Sequence, residues 1–296
     1  MNEPVFKHYT QETLDREYDN LAKVANSAEY LQRFEAASRA ARERYRSKLD
    51  LRYGPHDGET LDVFMPEDDN NEPAPIQLFI HGGYWQRLSK NEFSFVADTF
   101  TPAGAITIVV DYALMPSVTM AELVRQCRAS LAWTYKNAAS LGGDPDRIYV
   151  SGHSAGGHLV AMLMATDWPK FDPALPGGPI RGACGISGLY DLEPIRLSSV
   201  NEGMDLSLKD VATLSPLLLE PHCTCPLLLA VGELEGEEYL RQSTELAQSW
   251  GGRGTEPQVM PMAEQDHFSI VAQLGNPDSP LCRALHLQMG LPRPGM

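Results

Sequence analysis

Apolar positions recur at two different spacings in the first part of the chain. Between residues 10 and 48, larger apolar side chains recur every three or four positions on a polar background. This pattern predicts two amphipathic helices, the second capped by Ser27. Residues 49–53 and 61–64 instead alternate apolar and polar side chains, and glycine, proline and aspartate separate the two runs. That alternation predicts an antiparallel hairpin at the start of a sheet.

The rest of the chain alternates short apolar runs with longer helical patterns. The runs that have the length of buried strands are residues 76–80, 105–110, 148–150, 183–186, 227–231 and 259–262. The clearest helical patterns are residues 121–139, 155–165 and 237–250. Strands that alternate with helices in this way predict a doubly wound α/β protein, with a mostly parallel sheet covered by helices on both faces.

The domain organisation follows from the same pattern. No internal repeat divides the sequence, so residues 1–296 are expected to form a single domain, with residues 1–48 as a helical N-terminal extension. Residues 168–179 are rich in proline and glycine, and we expect them to form a surface excursion rather than a linker.

Composition and charge exclude several functional classes. Hydrophobic residues make up 43% of the 296 and charged residues 21%, which is ordinary for a chain that buries a sizeable core. The formal net charge of -15 repels phosphate backbones and anionic lipids, so neither nucleic acid nor a membrane is an expected partner. The first residues lack the basic and apolar regions of a signal peptide, so a cytoplasmic location is expected.

The cysteines do not suggest a disulfide framework or a metal site. Five cysteines are too few and too scattered for such a framework in a chain of this length, and reduced thiols are expected. Cys223 and Cys225 are separated by one residue, which is not the usual zinc spacing, and no second Cys/His pair accompanies them. We therefore expect no metal site.

The motif Gly-His-Ser-Ala-Gly at residues 152–156 lies directly between a predicted strand and a helix rich in small residues. Close-packing glycines permit the strained turn that exposes the central Ser154 at the edge of a sheet, and the helix dipole adds to its environment. A glycine-rich turn without chemistry is the alternative. The strand and helix on either side favour Ser154 as the nucleophile of an α/β-hydrolase.

A second motif, His-Gly-Gly at residues 81–83, ends the third predicted strand. Hydrolases of this fold place half of their oxyanion hole there, because glycines let backbone N–H groups approach a carbonyl oxygen. We expect the amides of Gly82, Gly83 and Ala155 to form that hole. A tight turn held by a local hydrogen bond of the motif histidine is the alternative.

The triad acid and base follow the serine in this fold, in that order. His267 lies just beyond the last predicted strand, whereas the other histidines precede the sheet, belong to the motifs or lack such a loop. Two carboxylates, Glu233 and Glu235, follow the strand at residues 227–231. Glu235 is the expected acid, Glu233 is its competitor, and either could be a solvated surface charge.

Together these residues resemble the arylformamidases, or kynurenine formamidases, of the α/β-hydrolase superfamily. The resemblance covers nearly the whole chain, and its segments are residues 14–18, 81–85, 152–159, 187–192 and 241–243. His-Gly-Gly-Tyr-Trp at residues 81–85 is the most specific of them. One difference is the triad acid, which is usually aspartate in this family. The longer Glu235 would need a shifted backbone or a different rotamer.

The resemblance implies hydrolysis of N-formyl-L-kynurenine to kynurenine and formate, a step of tryptophan catabolism, without a metal or organic cofactor. Substrate contacts are expected from Tyr84, Trp85 and His153. The same motifs serve a carboxylesterase or a related amide or carbamate hydrolase that acts on short acyl groups. A non-catalytic binding protein on the same fold is a further alternative, although such proteins typically lose the nucleophile or the base.

The N-terminal helices are expected to cover the sheet edge as a lid. Tyr18, Tyr30 or Phe34 would then line an aromatic pocket beside Trp85, although aromatic residues at helical spacing more often serve only in packing. The expected partner is a small-molecule aryl formamide or ester. A homodimer is the one protein assembly that we keep open.

Overall fold

Eight strands form one sheet in the computed structural model, which describes residues 3–67 and 72–292. The strands are β1 (Ser47–Arg52), β2 (Thr60–Phe64), β3 (Ala74–Ile80), β4 (Ile106–Val110), β5 (Gly143–His153), β6 (Gly182–Ile186), β7 (Leu227–Gly232) and β8 (Pro257–Met262). Their order is β1-β2-β4-β3-β5-β6-β7-β8. The pairs β1–β2 and β2–β4 are antiparallel and the others are parallel, so the prediction of a mostly parallel sheet with an antiparallel hairpin at one end is confirmed.

Helices cover both faces of this sheet. Those of the described residues are α1 (Gln11–Tyr18), α2 (Asn20–Lys23), α3 (Ser27–Arg44), α4 (Ala97–Phe100), α5 (Met120–Asn137), α6 (Ala155–Met164), α7 (Trp168–Phe171), α8 (Glu193–Leu197), α9 (Leu208–Leu214), α10 (Glu237–Trp250), α11 (Ser269–Ala272) and α12 (Pro280–Met289). None of them combines the length and the apolar character that crossing a bilayer requires.

Successive residues of a central strand belong to two different cores. Leu78 and Ile80 of β3 pack into a large cluster with residues of α1, α5, α6, α9 and α10. Phe79, between them, packs into a smaller cluster with residues of α3, α4, α11 and α12. Side chains alternate across a strand, so burial on both faces explains why the central strands are apolar throughout.

The N-terminal extension forms three helices rather than the two that were predicted. Asp19 ends α1, and its side chain caps α2 by accepting a hydrogen bond from the Ala22 amide at 3.1 Å. The prediction that Ser27 caps the following helix is wrong. The N-cap of α3 is Asn26, and the Ser27 hydroxyl donates instead to the Leu21 carbonyl at 3.1 Å.

The segment 168–179 is partly buried. It begins with α7, whose Trp168 is fully buried, and most of the following residues are exposed, as the prediction of a surface excursion requires. The sequence patterns also missed α9 and α12. Their N-cap serines, Ser207 and Ser279, are the signals that would have indicated them.

The parallel strands bring the candidate chemical residues to one edge of the sheet. β3, β5, β6, β7 and β8 run in the same direction, so their carboxyl ends meet along that edge. Residues 81–83 follow β3, and Ser154 follows β5. Glu235 follows β7, and His267 lies in the loop after β8. Ligands bind at this edge in open α/β sheets.

Candidate active site

Ser154 lies on a strained turn between β5 and α6. Its backbone angles are φ 58° and ψ -118°, a region that a serine adopts only when its surroundings enforce it. The turn packs tightly against the end of β3, because a Cβ on Gly156 would overlap the Ile80 carbonyl oxygen. Among the described hydrogen bonds, none engages the Ser154 hydroxyl. Its oxygen is therefore available to a substrate, and triad hydrogen bonds often tighten only in the substrate complex.

A cavity of about 510 Å³ opens beside this turn. Ser154, His153 and His267 lie in its wall at the sheet edge. The outer wall of the cavity consists mainly of residues from α1 to α3, from the loop 84–88 and from residues 199–203. The volume falls within the range of about 300 to 1,000 Å³ that is usual for small-molecule sites.

Glu235 and His267 form a buried acid–base pair. Glu235 Oε2 lies 2.7 Å from His267 Nδ1, and both side chains are almost completely buried. A carboxylate only accepts, so Nδ1 carries the proton and Nε2 keeps the lone pair that a general base needs. Glu233, the competing acid, is exposed to solvent. The structure therefore brings Glu235, and not Glu233, to the histidine.

The amides expected to bind an oxyanion lie next to the serine. Gly82 is so close that a Cβ built on it would be 3.1 Å from Ser154 Cβ. Gly83 has φ 110°, and a Cβ there would overlap the Arg87 carbonyl, so only glycine fits. In the described part of the chain, the amides of Gly82, Gly83 and Ala155 donate to no protein acceptor. They remain free to donate to a ligand.

The ring of His81 fixes the orientation of this turn. Its Nδ1 donates to the Gly82 carbonyl at 2.7 Å, and its Nε2 faces Asp111 Oδ1 at 3.1 Å. The peptide bond is planar and trans, so holding the Gly82 carbonyl toward His81 turns the Gly83 N–H to the opposite side. The local hydrogen bond of His81, considered above as an alternative to the oxyanion hole, therefore exists. Its geometry is compatible with an oxyanion hole at the same turn.

His153, expected to contact substrate, packs against His267. Its Nε2 donates to the His267 carbonyl at 2.9 Å, and the two ring centroids are 4.6 Å apart. Burial holds the pKa of His153 well below its ordinary value, with the neighbouring His267 acting in the same direction. The ring is therefore neutral near pH 7, and its buried Nδ1 is an acceptor that no donor in residues 3–67 and 72–292 reaches.

The aromatic residues predicted at the pocket divide into two groups. Tyr84, Tyr18 and Phe34 line the cavity. Trp85 does not: it is fully buried, and its indole N–H donates to His158 Nδ1 at 3.2 Å. The prediction that Trp85 contacts substrate is therefore not supported. Tyr30 also lies outside the cavity wall, where it stacks on Phe268 and helps to hold α3 in place.

Within residues 3–67 and 72–292, no three histidine, cysteine, aspartate or glutamate side chains are grouped so that they could hold a metal ion. The thiols of Cys223 and Cys225 are buried, and burial raises the pKa of the Cys223 thiol to about 11 and that of Cys225 to about 12. Both thiols are therefore protonated near pH 7.

Known proteins resemble this chain over most of its length. A family model described as BD-FAE matches residues 61–177. Kynurenine formamidase of Danio rerio is 33% identical over 247 residues, which cover 82% of each chain. That of Drosophila melanogaster is 28% identical over 79% of each. This chain belongs to the kynurenine formamidase family.

Solved structures share the fold of this kynurenine formamidase family member. A putative thioesterase from Silicibacter sp. TM1040 has a TM-score of 0.79 and 30% identity, and the match covers 91% of this chain and 97% of the other. Esterase B from Lactobacillus rhamnosis has a TM-score of 0.67 at 17% identity, covering 92% and 94%. The predicted α/β-hydrolase fold is confirmed, and the protein is a hydrolase.

In this member of the kynurenine formamidase family, the carboxylate of Glu235 folds back onto the end of β7, the strand that precedes it. Glu235 Oε1 accepts from the Gly232 amide at 2.6 Å and from the Ser187 hydroxyl at 2.6 Å, which leaves Oε2 for His267. Ser187 directly follows β6 and has φ 52°. No role was predicted for Ser187. Its position after a parallel strand is nevertheless a signal that it lies at the same edge of the sheet as Ser154.

Proposed function

We propose that this protein is a kynurenine formamidase that hydrolyses N-formyl-L-kynurenine to kynurenine and formate. The observation that supports it most is the 2.7 Å contact between Glu235 and His267, on the same cavity wall as a strained serine. The substrate is inferred from the relatives, which are named for this activity. No step needs a metal or an organic cofactor.

The first half of the reaction transfers the formyl group to the enzyme. The Ser154 hydroxyl oxygen attacks the formyl carbon, and His267 Nε2 accepts the hydroxyl proton. Buried Glu235 stabilises the imidazolium that forms. The carbonyl oxygen gains negative charge and accepts hydrogen bonds from the amides of Gly82, Gly83 and Ala155.

The imidazolium then donates its proton to the nitrogen of the leaving arylamine, so that the carbon–nitrogen bond breaks and kynurenine leaves as a neutral amine. Water attacks the formyl ester of Ser154, again with His267 as the base, and formate is released. An anilide nitrogen leaves less readily than an alkoxide. Proton donation by His267 is therefore more important for the formamide than for an ester.

The test is a comparison of two substrates with purified protein. We expect kcat/KM on N-formyl-L-kynurenine to exceed kcat/KM on p-nitrophenyl acetate, and Ser154→Ala to lower formamide turnover by about 10³-fold or more. Ser151→Ala is a matched control, because this serine lies on the same strand but hydrogen-bonds to Gln77. Good ester turnover with negligible formamide turnover would contradict the proposal.

That outcome would support the second candidate, a carboxylesterase for short acyl groups. The relatives include proteins named for this chemistry, such as Esterase LipC of Mycobacterium tuberculosis, 32% identical over 51% of this chain. The free amides and the Glu235–His267 pair serve both reactions equally. Only the choice of leaving group separates the two candidates.

Three predictions from the sequence remain proposals: a single domain over residues 1–296, a cytoplasmic location and a homodimer as the one assembly kept open. A lid role of the N-terminal helices is likewise a proposal, supported by Tyr18 and Phe34 in the cavity wall. Light scattering would test the assembly, and a fluorescent fusion would test the location.

A further inference from the structure

Two opposite charges lie in the outer wall of the cavity, and neither has an ion-pair partner in the described part of the chain. Arg87 follows the His-Gly-Gly turn, and Asp19 lies between α1 and α2. Among the residues that the structure describes, Arg87 forms no ion pair and its guanidinium makes no hydrogen bond. Asp19 uses Oδ1 to cap α2, and its Oδ2 accepts nothing within the described chain.

These two charges line the same cavity as the buried Tyr84 side chain. Tyr84 donates to the Tyr18 carbonyl at 2.7 Å, which fixes its position at the base of this wall. Burial raises the pKa of Tyr84; the positive charge of Arg87 opposes that rise, and the negative charge of Asp19 adds to it. Arg87 and Asp19 line this cavity together with Tyr84, yet they form no ion pair with each other.

A buried acceptor lies next to Asp19. The Asn20 side-chain amide donates to the hydroxyls of Tyr239 at 2.6 Å and Tyr84 at 3.2 Å, which fixes its orientation. Asn20 Oδ1 then has no hydrogen-bond partner among the described residues, although the side chain is buried and lines the cavity. An unsatisfied buried oxygen costs free energy unless a ligand donates to it. One side of this wall therefore offers acceptors and the other offers donors.

We propose that this wall binds the zwitterion of a free α-amino acid, with Arg87 on the carboxylate and Asp19 and Asn20 on the ammonium group. The inference rests on the proposed function, because it assigns the part of the substrate that is remote from the formyl carbon. Arg87 presents a planar fork that matches a carboxylate. The preferred substrate class is an aryl formamide that carries a free amino acid, rather than a neutral formamide.

The test measures binding in the Ser154→Ala background, where no turnover occurs. The dissociation constants of N-formyl-L-kynurenine, its methyl ester and formanilide are determined by calorimetry, with and without Arg87→Met. Because a hydrogen bond to a charged group contributes strongly to binding, Arg87→Met is expected to weaken N-formyl-L-kynurenine binding by about 10- to 100-fold more than formanilide binding. Asp19→Asn is expected to produce the same preference in a smaller degree.

The methyl ester completes a double-mutant cycle. Esterification removes the carboxylate charge, so it is expected to weaken binding to protein that has Arg87. In the Arg87→Met protein, esterification is expected to reduce the affinity little further. Arg147→Met is the matched control, because Arg147 lies on β5, about 20 Å before Ser154. This substitution removes the same charge far from the cavity. Independent, additive effects of the ester and of Arg87→Met would overturn the proposal.

The same experiment separates this inference from the proposed reaction. If wild-type protein releases no kynurenine while the Ser154→Ala protein shows the Arg87-dependent affinity, the reaction is wrong and the zwitterion site stands. If kynurenine is released but Arg87→Met affects all three ligands equally, the reaction stands and the site is wrong. Absence of binding by N-formyl-L-kynurenine would overturn both.

Discussion

The two walls of the cavity are built in opposite ways. At the sheet edge, Ser154, Glu235 and His267 are buried, and the backbone around them is strained and closely packed. In the outer wall, Arg87 and Asp19 are exposed charges on loops and helix ends. We therefore propose that backbone geometry in the first wall supports the chemistry and that side chains of the second wall select the molecule that enters. We expect changes in the first wall to lower kcat and changes in the second to raise KM.

The largest expected effect on the sheet-edge wall is that of His267→Ala. In the proposed mechanism this residue acts as base in acylation and as acid for the arylamine, so its loss should lower kcat on N-formyl-L-kynurenine by about 10⁴-fold or more. Steady-state kinetics measure it, with His222→Ala as the control at an exposed position. Formamide turnover within tenfold of wild type would refute the assignment.

Glu235→Gln is expected to have the next largest effect. The isosteric amide keeps the shape but no longer stabilises the imidazolium, so kcat should fall by about 10²- to 10⁴-fold with little change in KM. Glu233→Gln makes the same chemical change at the exposed competitor and should retain activity. The assignment of the acid would be reversed if the Glu233 variant were the inactive one.

The difference between the walls also explains what the sequence could predict. Ser154 and the glycines around it are specified by sterics, because few residue types fit such a turn, and His267 follows from chain order. Ser187 could not be found in this way, since its contact with Glu235 joins loops that are 48 residues apart and depends on the side chain folding back. Trp85 was misjudged because its place in a motif says nothing about which core its side chain enters.

The same limit applied to the N-terminal extension. Its apolar periodicity correctly indicated helices, although three form instead of two. The boundary between α1 and α2 at Asp19 depends on a side-chain cap. The position of α2 depends on a hydrogen bond from Lys23 Nζ to the Glu235 carbonyl at 2.8 Å. The cap joins residues only three positions apart but does not change the apolar periodicity, and the Lys23 contact spans 212 positions and leaves no periodic signal in the sequence.

Ser187→Ala tests whether the hydroxyl positions the acid. It removes one of the three hydrogen bonds of Glu235 and should lower kcat by about tenfold while KM stays within about twofold, because a hydrogen bond to a charged group is lost. Ser187→Gly also lacks the hydroxyl but relieves the backbone strain at φ 52°. Equal losses in the two variants would indicate positioning, and full activity of the glycine variant would indicate strain instead.

Phe34→Leu, in the outer wall, is expected to have the smallest effect. Phe34 lines the cavity and stacks on Phe95 with ring centroids 5.0 Å apart, so a smaller apolar side chain should cost about 1 kcal/mol of unfolding free energy and raise KM by a few fold. Because it touches no reacting group, kcat should stay within about twofold. Urea titration and steady-state kinetics measure both, and Phe171→Leu on α7, outside the cavity wall, is the matched control. A fall in kcat with an unchanged KM would mean that this wall helps to arrange the catalytic groups, and the division of the cavity into a catalytic and a selective wall would then fail.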